Sequence, residues 1–123
     1  MNLNVKKILN HKIVALVNLL WAIFHIWIAI TIEQDYFFLA IVIVFVLIFI
    51  GTYRISENKA RYVFLIIGLL YLIPLFEGVI PTLMSSNSPM FDTVGSLIWL
   101  VVIIWTLLAA TAQWTFLRKS ESD

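Results

Sequence analysis

Apolar residues run along this chain in four long stretches, about 13–32, 36–53, 62–81 and 94–117, parted by short polar segments. As a helix rising ~1.5 Å per residue, each stretch is long enough to cross a hydrocarbon layer ~30 Å thick, fully or nearly so. The second stretch is rich in β-branched residues and would favour a strand in water. In lipid a lone strand leaves its backbone polar groups unpaired, so a helix is required there. The link Glu33-Gln34-Asp35 is so short that the first two helices must run antiparallel side by side. The segment Arg54–Arg61 connects the second to the third. The longest connection, about Thr82–Thr93, contains Ser85-Ser86-Asn87-Ser88-Pro89. The pattern predicts an all-α membrane protein, an up-down-up-down bundle of four transmembrane helices over 13–117. A basic segment, 1–12, precedes it and a short tail, 118–123, follows.

Charge orients this bundle. The eight Lys and Arg residues fall in three clusters: Lys6, Lys7 and Lys12; Arg54, Lys59 and Arg61; Arg118 and Lys119. Four spans thread these clusters onto one side, while the opposite connections carry Glu33, Asp35 and Asp92 and nothing basic. By the positive-inside rule both termini are cytoplasmic, and the chain is a multi-pass protein of the plasma (inner) membrane. Tyr53, Tyr62 and Trp114 suit an inner aromatic belt and Tyr36 an outer one. The composition agrees: 63% hydrophobic, 12% charged and a mean hydropathy of +1.03, where a soluble domain carries about 25% charge. The net charge of +1 implies no nucleic-acid partner; the cations face the lipid bilayer, beside anionic headgroups. The first stretch follows a basic segment, as in a signal peptide, but is longer than a usual h-region and lacks an Ala-x-Ala site. It reads as a retained anchor. Ile, Asn and Lys usage points to an AT-rich bacterial genome.

Helix contacts in lipid depend on small residues and buried hydrogen bonds, because lipid tails are as apolar as leucine. In the first stretch Ala15, Ala22 and Ala29 repeat every seven residues, and Asn18 and His25 share their stripe. The fourth has Ser96, Trp99, Ile103, Thr106, Ala110 and Gln113 on one face; the second offers Ala40, Val44, Leu47 and Gly51. These seams are expected to face inward, either as plain small-residue packing or as a polar-lined interior. Thr111 and Thr115 fall off the stripe and are expected to bond their own helix backbone. Asn18 and Gln113 lie ~8 and ~6 Å above the inner ends of their helices, which predicts an interhelical hydrogen bond.

Glu77 is the one acid inside a span. A carboxylate in hydrocarbon must be paired, protonated or hydrated. Pro74, Gly78 and Pro81 surround it and predict a kinked or broken outer half-helix, the kind of segment from which transporters build ion sites. The alternative is a carboxylate close enough to the outer interface to reach water. His25, ~18 Å above the inner face against ~22 Å for Glu77, makes a His25–Glu77 pair the candidate proton or ligand site. Trp99 joins it as a candidate pocket wall. Trp21, Trp27, Trp99 and Trp105 otherwise read as aromatic packing within helices.

Other chemistry falls away. With no cysteine, disulfides, thiolate catalysis and Cys-based metal sites are excluded. A lone intramembrane His argues against bis-histidine haem. No catalytic set, nucleotide-binding loop, metal cluster or other cofactor motif is present. The four-span size resembles that of the small multidrug resistance transporters. Those proteins place a membrane-embedded Glu in the first span, however, where this chain has His25, so their function is not carried over. The expected function is non-enzymatic: an accessory, regulatory or immunity-type partner of another membrane protein, or a homo-oligomer. The alternatives are a small proton-coupled transporter using Glu77 with His25, and a lipid- or quinone-binding protein.

Overall fold

A computed structural model describes residues 9–112 of the chain. All regular structure among them is helical, in four helices long and apolar enough to cross a membrane: α1 (His11–Glu33), α2 (Tyr36–Arg54), α3 (Glu57–Met84) and α4 (Met90–Ala112). This is the pattern of a multi-pass membrane protein. The chain divides into two compact units, one ending at Ala60 and the other beginning at Arg61.

The first unit is the α1–α2 hairpin. Asn10 caps α1, its Oδ1 accepting from the Lys12 N–H at 2.9 Å. The last turn of α1, Ala29–Glu33, widens to a π-helical turn, and the Gln34 N–H donates to the carbonyl of Ala29 five residues back. Gln34 then adopts a left-handed conformation, φ 50° and ψ 42°, which reverses the chain. Asp35 caps α2, its Oδ1 accepting from the N–H groups of Phe37 and Phe38 at 3.0 and 3.2 Å. A two-residue link thus satisfies both helix ends and lays α2 back along α1. Val14, Ala15, Asn18, Ala22 and Ala29 of α1 are buried, so the seven-residue alanine seam does face inward.

The seam expected for α2 does not. Ala40, Val44, Leu47 and Gly51 are all exposed, and the buried residues are Val42, Phe49 and Thr52. The physical reason lies in the partner seam. Alanines on α1 do not call for a matching row of small residues on α2, and the residue most deeply buried there is the large Phe49, 1% exposed.

The second unit holds nearly all of α3, together with α4. The α3 helix starts before the expected span, at Glu57, and runs through Pro81 to Met84. Pro81 sits at the first turn of the last helical piece, where a missing N–H is tolerated. The α4 helix likewise starts early, at Met90, and the expected connection Thr82–Thr93 shrinks to residues 85–89. Its polar residues tie it down. Ser88 Oγ donates to the Thr82 carbonyl at 2.8 Å and the Asn87 N–H donates to Ser85 Oγ at 3.3 Å. On α4, Ser96, Ile103, Thr106 and Ala110 are buried and Trp99 is half-buried, as the stripe requires; Gln113, Trp114 and Thr115 lie outside the described residues. The C-terminal part of α3 packs against α4. Nearer the middle of α3, Gly68 abuts Leu107 so closely that a β-carbon there would come 3.1 Å from Leu107 Cγ.

Candidate functional site

Polar side chains inside these helices share one local solution. Asn18 Nδ2 donates to the Val14 carbonyl at 2.9 Å. Thr52, Thr106 and Thr111 donate their hydroxyls to the carbonyls of Ile48, Val102 and Leu107 at 2.7, 2.8 and 2.9 Å. Each acceptor lies four residues back, where a helix places its own carbonyl within reach of a short polar side chain. Thr111 therefore behaves as expected off the stripe. Asn18, 1% exposed, makes its described bond within its own helix.

His25 follows the same pattern. Its Nδ1 lies 2.8 Å from the Trp21 carbonyl, and a carbonyl only accepts, so Nδ1 carries the proton. Aromatic rings surround the imidazole. Trp21 stands edge-on at 4.7 Å between centroids, Phe24 at 5.9 Å and Phe38 of α2 at 6.4 Å. Trp27 stacks on Phe24 at 5.8 Å. Spacings of three and four residues bring these α1 rings onto one flank of the helix, and Phe38 reaches them because the hairpin link is so short.

Glu77 lies in the second unit, within a π-helical turn spanning Leu75–Val79 and closed by the bond from the Ile80 N–H to the Leu75 carbonyl. Two prolines flank it. A proline crowds the carbonyl four residues earlier and offers it no N–H, and for Pro81 that carbonyl belongs to Glu77 itself. A widened turn accommodates such a conflict without breaking the helix. The expected kink residues, Pro74, Gly78 and Pro81, thus bracket an irregular but continuous helix. The Glu77 side chain is exposed, as are its neighbours Ile73 and Phe76, at 59% and 64%. Among the described residues its carboxylate makes no hydrogen bond or ion pair.

Trp99 meets Tyr71, edge to face at 4.8 Å between centroids, and Tyr71 is buried. The structure therefore sets Trp99 against an α3 ring inside the second unit. His25 belongs to the first unit and Glu77 to the second. Among the described residues no three His, Asp or Glu side chains converge as a metal site needs. His11, the first residue of α1, is buried, and neither ring nitrogen finds a hydrogen-bond partner among the described residues.

The sequence reading passed over two residues of this region, Gly68 and Tyr71. The signal was present: Arg61, Phe64, Gly68 and Tyr71 are spaced by three, four and three, and all are buried. The prolines lie in the C-terminal half of α3, whereas this seam precedes them and carries no backbone-disturbing residue of that kind.

Comparison with protein-family models, with curated proteins and with solved structures found no match to this chain.

Proposed function

We propose that this is a four-span protein of the plasma membrane, both termini cytoplasmic, that acts as an accessory, regulatory or immunity-type partner of another membrane protein. The observation that carries the reading is the exposure of Glu77 on α3. A transporter's proton carrier belongs in an enclosed site at the centre of the protein. An acid turned outward among Ile73 and Phe76 serves contact with something beyond the chain. The short connections support the same reading, since none has room for a catalytic domain.

The test compares assembly size. The tagged full chain, solubilised in mild detergent from its source membranes, should migrate in a larger complex than the same chain expressed alone in a foreign host. Equal sizes would overturn the partner reading.

A second reading, a small proton-coupled transporter using Glu77, has one observation in its favour: π-helical turns recur at functional sites, and Glu77 sits in one. Proton flux into liposomes containing the purified chain, lost in Glu77→Gln, would establish it. The lipid- or quinone-binding alternative rests on Trp99, which meets Tyr71 edge to face as an ordinary packing pair does.

A further inference from the structure

The partner reading leaves open what chemistry the partner brings, and the surroundings of Glu77 narrow it. In α3 the residues Ile66, Leu69, Ile73 and Phe76 follow one another at spacings of three, four and three, and their exposures are 59%, 55%, 59% and 64%. That is the spacing of a seam onto which another helix packs. In a bilayer an apolar seam by itself identifies no occupant, since lipid covers it equally well. Glu77 does. It flanks the seam beside Phe76, is exposed, and has no hydrogen-bonding or ionic partner among the described residues.

Depth makes this arrangement costly. The buried Arg61, its guanidinium 5.3 Å over the Tyr62 ring, marks the inner end of the apolar part of α3. Glu77 follows sixteen residues later, about 24 Å further along the helix and so about 6 Å inside the outer edge of a ~30 Å hydrocarbon layer. Of the ways to stabilise a carboxylate there, a cation at the same level is the one that also selects a partner. This chain offers no Lys or Arg there, because none occurs in 13–53 or in 62–117. A second copy brings no Lys or Arg either, and its intramembrane imidazole, His25, has Nδ1 on its own helix's Trp21 carbonyl and sits among the rings of Trp21, Phe24 and Phe38, surroundings that disfavour the charged form.

Resting on the partner reading, we infer that the α3 face formed by Ile66, Leu69, Ile73, Phe76 and Glu77 docks a transmembrane helix of a different protein, one carrying a Lys or Arg in the outer part of the membrane. The apolar side chains supply close packing, and the carboxylate selects the helix that brings the complementary charge.

Model helices test it directly. The full chain, donor-labelled, is reconstituted into phosphatidylcholine vesicles with acceptor-labelled poly-Leu transmembrane peptides. One peptide carries a single Lys about 6 Å inside the outer boundary, one carries it at the inner end, and one has Leu throughout. Energy transfer should report roughly five- to thirty-fold tighter association with the outer-Lys peptide than with the Leu peptide, the range of one interhelical polar contact in lipid. Glu77→Gln should remove that preference and Glu77→Asp retain it, with helical content by circular dichroism unchanged in both. Equal binding of all three peptides would overturn the inference. So would a preference that persists in Glu77→Gln, or chain self-association that depends on Glu77, which assigns the face to a second copy. A failure here leaves the native complex size as an independent measure of the partner reading.

Discussion

Gly68 of α3 lies directly against Leu107 of α4, with no room for a β-carbon between them. The missing side chain lets Leu107 lie against the α3 backbone at this point. Close approach of this kind is how helices gain dispersion energy where no hydrophobic effect separates protein from lipid.

Replacing this glycine tests the contact. Gly68→Val should destabilise the protein by about 1–3 kcal/mol through overpacking. Gly68→Ala should cost less, since the nearest atom is a terminal methyl of Leu107 that a rotamer change can withdraw. Thermal melts in detergent, monitored by circular dichroism, give the ranking; equal melting temperatures for wild type and Gly68→Val would refute it.

The α1–α2 link makes a separate prediction. Asp35 accepts two backbone N–H bonds at the start of α2. Asp35→Ala should therefore lose about 1 kcal/mol of stability, and Asp35→Asn, which keeps the accepting oxygen, should lose much less. Both are read from the same melts.

One residue earlier, Gln34 holds a left-handed backbone with φ 50°. A β-carbon makes that conformation unfavourable by about 1–2 kcal/mol. Gln34→Gly should match or exceed the wild-type melting temperature, as glycine does at helix ends of this kind, while Gln34→Ile should fall below it. The opposite order would mean that the turn does not depend on the left-handed residue.

Membrane orientation can be measured because the chain has no cysteine. Single substitutions Ser56→Cys, in the Arg54–Arg61 connection, and Ser86→Cys, between α3 and α4, leave each thiol unique. A membrane-impermeant maleimide applied to intact cells should label Ser86→Cys alone and reach Ser56→Cys only after permeabilisation. The reverse pattern would invert the proposed topology.

The long apolar stretches, the short hairpin link at Glu33-Gln34-Asp35 and the seven-residue repeat of Ala15, Ala22 and Ala29 were legible in the order of residues. Each depends on local periodicity or chain reach alone. So did the disturbance around Glu77, because a proline acts on the carbonyl four residues before it whatever surrounds the helix. Helix ends were less accessible. Pro81 reads as a terminator, yet it sits in the first turn of a short continuing piece, which depends on how the preceding turn widens.

The inner face of α2 could not be read from its own residues. In an almost uniformly apolar helix no polar contrast distinguishes one face from another, so the rule that small residues face inward selected Ala40 and Gly51, whereas the folded chain buries Val42, Phe49 and Thr52 instead. Gly68 shows the same limit from the other side, since only the placement of Leu107 reveals what its missing side chain is for. Residue order by itself determined that four membrane-length helices form and that the backbone of α3 is disturbed near Glu77, because hydrogen-bond supply and chain length are properties of the local sequence. Tertiary structure decided which flank of each helix is covered and that Glu77 is left facing outward, because among near-equivalent apolar faces only the fit of particular side chains tells one from another.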